Sequence, residues 1–370
     1  SPVAAAPSAP GAPAETTETA PAADAAAPAG DEATVDAIID DDEIEAPEAP
    51  AAKPVALPPE IAALSPAQIR QRLQSDPSSL GPMSVGWTNS GALVNGVQLS
   101  EGERYVVKEP HLAWATQETI DYLIRAIDRV HEQFPDSPEL LVGHLSGKQG
   151  GHLSPHKSHQ SGRDVDTSFY YLPGKHRWYR HANAASLDCP RTWAFLRALL
   201  IETDVQWIFI NTSVQRLLKQ HALSIGENPE WLDSVFQYKS KHPSPIIRHA
   251  RGHATHIHIR FYNPIAQELG RRAYEPLLAL GMIKPRILYT HYRAKKGDIL
   301  GRIAKRYKTT IKAIQKANNL RSTKIFAKKV YRIPRAGGVR APRPLLLPPR
   351  RLPPSAAPAN PGPGSKAAAN

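Results

Sequence analysis

An α+β fold, a small antiparallel sheet flanked by helices, is predicted for the middle of this 370-residue chain. Three observations predict it. Residues 257–261, Ile-His-Ile-Arg-Phe, alternate apolar and polar side chains strictly, the mark of a half-buried strand. Residues 116–133 carry Ile120, Leu123, Ile124, Ile127 and Val130 at helical spacing behind Thr116. Composition changes sharply on either side: residues 1–60 are mostly Ala, Pro, Asp and Glu, and residues 335–370 are rich in Pro, Ala and Arg. Neither end has enough apolar surface to offset its ordering entropy, so both are expected to be disordered.

The elements follow in order. Residues 65–73 begin as a short capped helix, with Ser65 at the N-cap and Pro66 at the first helical position. Residues 84–99 have Gly and Asn turn signals between short strands. After the 116–133 helix, residues 139–144 read as a buried strand. It leads into a glycine-rich loop, 147–151, that delivers His152, His156 and His159. Helices are expected over 191–201 and 212–221, with a strand over 205–210 between them. Residues 61–283 form this main domain. Residues 284–334 form a second, βααβ unit: strand 289–292, a Gly297-Asp298 turn, a face of Ile299, Ile303, Ala304 and Tyr307, a helix over 310–318 with Ile311 and Ile314 inward, and a strand over 330–334. Such a unit is near the lower size limit for independent folding.

Charge is divided unevenly. The chain has 46 basic and 34 acidic residues, net +12. Residues 1–60 hold 13 acidic and 1 basic, net −12, whereas residues 286–370 hold 21 basic and 1 acidic, net +20. A field of that sign suggests a polyanionic surface as partner. Nucleic acid is not expected, because few stacking aromatics are interleaved with the basic residues. With one cysteine, Cys189, no internal disulfide and no paired-thiolate metal site is possible; Cys189 reads as a small packed residue rather than a nucleophile. No apolar run is long enough to span a membrane. The chain opens on Ser1 and an Ala/Pro tether, as an exported protein freed of its signal peptide would. A periplasmic or secreted location is therefore expected, and a monomer or weak dimer.

Two stretches carry chemistry. Ser158-His159-Gln160-Ser161-Gly162-Arg163-Asp164-Val165-Asp166 brings a histidine and two carboxylates, and the Ser161-Gly162 turn lets His159 fold back toward them. His256-Ile257-His258 places two imidazoles on the polar face of the alternating strand, with Arg260. A hydrolytic zinc takes three nitrogen or oxygen ligands and keeps the fourth position for water. His159 from a loop, Asp166 from one strand and His258 from another meet that need, and point to metal-dependent hydrolysis.

These residues, with Gly150-Gly151-His152, Trp207-Ile208-Phe209-Ile210-Asn211 and His253 through Arg260, resemble the penicillin-insensitive murein endopeptidases, within the lysostaphin, D-Ala-D-Ala peptidase and hedgehog-type group. The resemblance covers about residues 84–264. It implies zinc bound by His159, Asp166 and His258, with His256 or His253 as base or transition-state stabiliser. His156 matches a further histidine of that site, as an outer or extra ligand. The Asp and His that would complete a second metal site have no counterpart here beyond a weak His181, so one zinc is expected. Asp164 is expected to orient a ligand histidine or to hold its own turn. Arg163, Arg248, Arg251 and Arg260 are candidates for gripping stem-peptide carboxylates, Arg163 and Arg251 foremost.

The second unit, through His291-Tyr292, Gly297-Asp298, Asn318-Asn319-Leu320 and Tyr331-Arg332-Ile333-Pro334, resembles a LysM domain. That resemblance implies binding of N-acetylglucosamine-containing glycan. Together the two resemblances imply a zinc peptidoglycan hydrolase that cuts the D-alanyl-diaminopimelate cross-link. A D,D-carboxypeptidase, an L-Ala-D-Glu endopeptidase or a non-catalytic wall-binding scaffold are the alternatives.

Overall fold

The computed structural model describes residues 53–54, 57–174, 180–283, 288–335 and 344–354. Most of the tail segments expected to be disordered (1–52, 55–56, 336–343 and 355–370) lie outside the described residues.

The chain starts with a two-residue strand, β1 (Lys53–Pro54), and two helices, α1 (Pro59–Ala62) and α2 (Pro66–Ser75). Ser65 caps α2 as its sequence predicts: Gln68 donates its backbone N–H to Ser65 Oγ and accepts the Ser65 N–H on its own side chain. A hairpin follows, β2 (Met83–Trp87) and β3 (Ser90–Val94). β4 (Val97–Gln98), β5 (Tyr105–Val107) and β6 (Trp114–Ala115) lead to α3 (Gln117–Gln133), which Thr116 caps at Thr119 N–H. Then come β7 (Leu140–Val142), β8 (Asp164–Thr167), α4 (Cys189–Glu202), β9 (Val205–Phe209), α5 (Thr212–Ser224) and α6 (Pro229–Val235). β10 (Ile247–Arg248), β11 (Ile257–Phe261) and α7 (Pro264–Ala279) complete the domain.

Six strands form one sheet in the order β10-β9-β11-β8-β7-β5. The three central pairings are antiparallel as expected, while the outer pairs, β10 with β9 and β5 with β7, are parallel. The main core buries Ile257, Ile259 and Phe261 of β11 with Leu123, Ile127 and Val130 of α3 and Phe195, Leu196 and Leu199 of α4. β11 departs from the half-buried reading: all five of its residues are buried. Its polar face is covered by ionisable side chains that bond to one another, so its alternation marks two interiors of different chemistry.

A second cluster packs α2 and the β2–β3 hairpin on α7, through Ile69, Leu73, Met83, Val85, Leu269, Ala273 and Leu277. Gly270 lets α7 approach β2 closely, since a Cβ there would collide with the Ser84 carbonyl. Gly270→Ala is expected to cost about 1–3 kcal/mol through overpacking against a rigid backbone, read as a lowered midpoint in urea titration.

The second unit is βααβ as predicted. β12 (Leu288–Arg293) pairs antiparallel with β13 (Val330–Arg335), and α8 (Leu300–Arg306) and α9 (Ile311–Ala317) connect them. Its core is Ala294, Leu300, Ile303, Ala304, Ile314, Tyr331 and Ile333. Ile299 and Ile311 do not turn inward: they are 56% and 36% exposed. Each stands at a helix start, Ile299 as N-cap and Ile311 as the first residue, before the buried stripe begins.

Part of the expected disordered tail is ordered. Residues 344–354 run back over the main domain, and β14 (Leu346–Leu347) pairs with β1. Arg350 Nε lies 2.8 Å from Asp204 Oδ1, Arg351 donates to the Ser234 carbonyl, and Trp231 Nε1 donates 2.8 Å to the Arg351 carbonyl. Composition argued against order because it counts apolar area, whereas this strap is held by arginines and backbone bonds.

Candidate metal centre and its surroundings

Antiparallel pairing of β11 and β8 builds the site. In that register His258 faces Asp166 and Arg260 faces Asp164. Directly opposed side chains on one face of a sheet have Cβ atoms about 5 Å apart, so the sheet itself brings two residues 92 positions apart into contact. β11 is central, flanked by β8 and β9, which makes that placement rigid.

His159 arrives from the loop before β8. The loop is tied to the β2–β3 hairpin: Leu93 donates to the Gln149 carbonyl, Gln160 to Thr88, and Gly151 to Gln160. Gly150 has φ +64°, and a Cβ there would meet the Gln160 carbonyl and the Leu93 nitrogen, so this crossing requires glycine. The Gly162 carbonyl accepts from Thr116 N–H and Thr119 Oγ1, fixing the turn to the start of α3. His159 itself has φ 64°, an uncommon backbone state for a residue with a Cβ. Two bonds hold it there: its N–H donates to Asp164 Oδ2 at 2.9 Å, and its Nδ1 is 2.7 Å from the Leu145 carbonyl.

The result is a convergence of electron pairs. His159 Nδ1 donates to Leu145, which leaves Nε2 bare. His258 Nε2 lies 3.2 Å from Asp164 Oδ1 and donates to it, which leaves Nδ1 bare. These two nitrogens are 3.1 Å apart. Asp166 Oδ1 lies 3.0 Å from His258 Nδ1 and 3.3 Å from His159 Nε2. Asp166 is wholly buried, and neither of its oxygens has a hydrogen bond among the described residues. Two bare imidazole nitrogens and an unpartnered carboxylate oxygen aimed at one point are mutually repulsive unless a cation joins them. The donor set of two nitrogens and one oxygen fits zinc. Without a cation a proton takes the place: burial opposes charge on His258, but Asp164 and Asp166 outweigh it and hold its pKa up at about 9.

Asp164 makes three contacts at this point. It orients His258, holds the His159 backbone, and accepts Arg260 Nε at 2.7 Å. Burial works against its charge, but the Arg260 guanidinium and the neighbouring histidines keep its carboxyl well below the usual range.

His253 and His256 stand at the edge of this group. Their rings are 4.6 Å apart, and that of His253 is 5.9 Å from that of His258. His253 Nδ1 donates 3.0 Å to the Arg251 carbonyl, which leaves Nε2 as acceptor. Burial, with His256 beside it, drives the His253 pKa down to about 3, so the ring is neutral at ordinary pH. His256 Nδ1 lies 3.0 Å from Thr255 Oγ1.

Not every candidate joins the site. Arg163 is buried, and donates to the Phe261 carbonyl at 3.0 Å; the guanidinium that was expected to grip substrate stitches β8 to β11. Arg260 is likewise buried against Asp164. Arg248 stacks 3.4 Å over the Trp207 ring and donates to the Pro245 carbonyl. Arg251 is exposed. His181 and His152 are exposed and belong to neither metal-ligating group. Burial raises the Cys189 thiol pKa, in keeping with a packed residue.

The sequence reading missed His144 and Glu109. His144 follows β7 and is locked to Asp166 through the backbone: Gly143 donates to the Asp166 carbonyl, and Asp166 to that of His144. His144 Nδ1 lies 2.7 Å from His156 Nε2, and His144 Nε2 is 2.9 Å from Glu109 Oε1. His156 Nδ1 is 3.7 Å from Asp166 Oδ2, and burial with His159 beside it pushes its pKa down to about 3. A histidine at the end of an apolar run reads as strand; only its pairing with the Asp-Val-Asp strand gives it a place here.

A mixed α+β domain with a buried His/Asp group that could hold a metal ion, joined to a small βααβ unit, is the class that fold and site define. Residues 84–188 match the family model of penicillin-insensitive murein endopeptidase, and residues 292–334 match that of the LysM domain. The first match holds His159 and Asp166; His258 lies beyond it and reaches the site through β11. No curated protein matches the chain. The two family matches support a peptidoglycan hydrolase with a cell-wall-binding module. Among the described residues no helix is long and apolar enough to cross a membrane.

Proposed function

We propose that this protein is a zinc-dependent endopeptidase of peptidoglycan, cutting the bond between D-alanine and the side-chain amine of diaminopimelate in peptide cross-links. The observation that carries this reading is the meeting of bare His159 Nε2, bare His258 Nδ1 and unpartnered Asp166 Oδ1 in a chain whose matched segment is of murein endopeptidase type. Zinc held there supplies a Lewis acid and lowers the pKa of water toward neutrality. The protein's own residues do the rest. Asp164 fixes which nitrogen of His258 faces the cation and sets the His159 backbone. His253 and His256, whose rings lie 4.6 Å apart beside His258, are the imidazoles that take the proton of the attacking water, return it to the leaving amine and stabilise the developing charge. Arg251 is the exposed cation at this edge for a stem-peptide carboxylate.

The LysM unit binds N-acetylglucosamine-containing glycan and keeps the catalytic domain on its insoluble substrate, a reading that goes with a location outside the cytoplasm, in the periplasm or beyond. Replacing residues 288–335 by a flexible linker is expected to lower hydrolysis of sacculi about 10²-fold at low enzyme concentration, by loss of effective concentration. Turnover of a soluble cross-linked muropeptide should stay unchanged. Equal losses on both substrates would remove the tethering role. For the reaction itself, purified sacculi are digested and the products identified by mass spectrometry. Cross-linked dimers converted to monomers with a free diaminopimelate amine are expected. Release of D-alanine alone would assign a carboxypeptidase, and L-Ala-D-Glu cleavage a different endopeptidase.

A further inference from the structure

We propose that the acidic segment 36–48 docks on the α8–α9 face of the second unit and competes there with the cell wall. This rests on the reading of that unit as wall-binding. Residues 288–335 hold 15 basic residues and one acidic. The lone carboxylate, Asp298, is engaged in its own turn, where Oδ2 accepts the Lys295 N–H at 2.7 Å and the Tyr292 hydroxyl at 2.8 Å. Arg302, Lys305 and Arg306 on α8 and Lys312 and Lys316 on α9 are all exposed. Arg302 with Arg306, and Lys312 with Lys316, are like charges one helical turn apart, an arrangement that stays unfavourable until a polyanion covers it. The main domain offers no such field, since residues 57–283 hold 23 basic and 21 acidic residues.

The chain carries a polyanion of its own. Residues 1–52 have 12 acidic residues and no basic one, and seven of those acids fall in 36–48. The same run holds Ile38, Ile39 and Ile44, while Ile299 and Ile311 stand exposed where α8 and α9 begin, so apolar contact accompanies the charge pairing. The fold ties the two partners to one point. β1 pairs with β14, with Lys53 opposite Leu347. Asp40 is 13 residues from Lys53 along the chain, and Arg335 is 12 residues from Leu347. At about 3.5 Å per residue these spans reach at most about 45 and 40 Å. A partner tethered so closely is present at an effective concentration of about millimolar.

The test uses the full chain and a carbodiimide, which joins a carboxylate directly to an amine. At low ionic strength, mass spectrometry of the digested product should show carboxylates of 36–48 coupled to Lys305, Lys312 or Lys316. The couplings should vanish at about 1 M salt, where the screening length is about 3 Å. Mixing isotope-labelled with unlabelled chain separates coupling within one copy, the expected result, from coupling between copies. A second chain, with the seven carboxylates of 36–48 replaced by their amides, should bind purified sacculi about 3- to 10-fold more tightly at low salt, because docking leaves only a fraction of the wild type competent to bind. At about 1 M salt the two chains should bind alike. Absent couplings, couplings only between copies or only to residues 57–283, or equal retention of both chains on sacculi at low salt would overturn the proposal. Couplings in place with neither chain retained would uphold the docking and remove the assigned wall binding instead.

Discussion

Asp166→Asn is expected to abolish hydrolysis, by about 10³-fold or more, while leaving the metal-free protein as stable as wild type or more so. The loss follows from removal of a ligand whose cation contributes several kcal/mol at the transition state, each 1.36 kcal/mol being tenfold in rate. The stability follows from burial. Asp166 keeps an ionised carboxylate wholly inside the protein, held without a cation by the proton on His258 Nδ1, 3.0 Å away, and an amide there is neutral, accepts from that N–H and offers a donor to His159 Nε2. Thermal unfolding with and without zinc separates the two effects. At about 100 times its dissociation constant, zinc should stabilise wild type by about 2.7 kcal/mol and leave Asp166→Asn unmoved. A variant that is inactive because it is unfolded would contradict this account of the site.

Arg260→Ala is expected to destabilise the domain by about 3–5 kcal/mol. Arg260 and Asp164 are both buried, 2.7 Å apart, in the middle of the sheet, and removing one partner of a buried pair strands the other as an uncompensated charge. His258 also bonds Asp164 and takes over as its cationic partner, so its ring is pulled away from Asp166. Urea titration should show the lower midpoint, and metal affinity should fall with it. The Arg260→Ala/Asp164→Asn double variant should recover part of the stability, because the stranded charge is gone, but not the metal affinity, because a neutral amide is a weaker acceptor for His258 Nε2–H than the carboxylate. Strictly additive losses would mean that the two side chains do not act as a pair.

Much of this site was legible in the sequence because it rests on strand periodicity. The alternation in Ile257-His258-Ile259-Arg260-Phe261 fixed which side chains share a face, and Asp164-Val165-Asp166 did the same on its neighbour; the β11–β8 register then had only to align them. Helix α3 and the cap at Ser65 were legible for the same reason, local spacing and local hydrogen bonds. What was not legible depends on pairing between distant strands. His144 gains its meaning from Asp166 across the β7–β8 backbone, and Glu109 from His144. Arg163 has the chemistry of a carboxylate grip, but its position on the far side of the sheet turns it to the Phe261 carbonyl. The strap at 344–354 escaped a reading by composition because two arginines and a tryptophan N–H hold it, with few apolar contacts.

Crystals of the full chain grown with zinc and measured at the zinc absorption edge test the central claim most directly. The account predicts an anomalous peak about 2.0–2.2 Å from His159 Nε2, His258 Nδ1 and Asp166 Oδ1, with His258 Nε2 still bonded to Asp164. Zinc bound elsewhere on the protein, with His258 Nδ1 and Asp166 sharing a proton in its place, would contradict it.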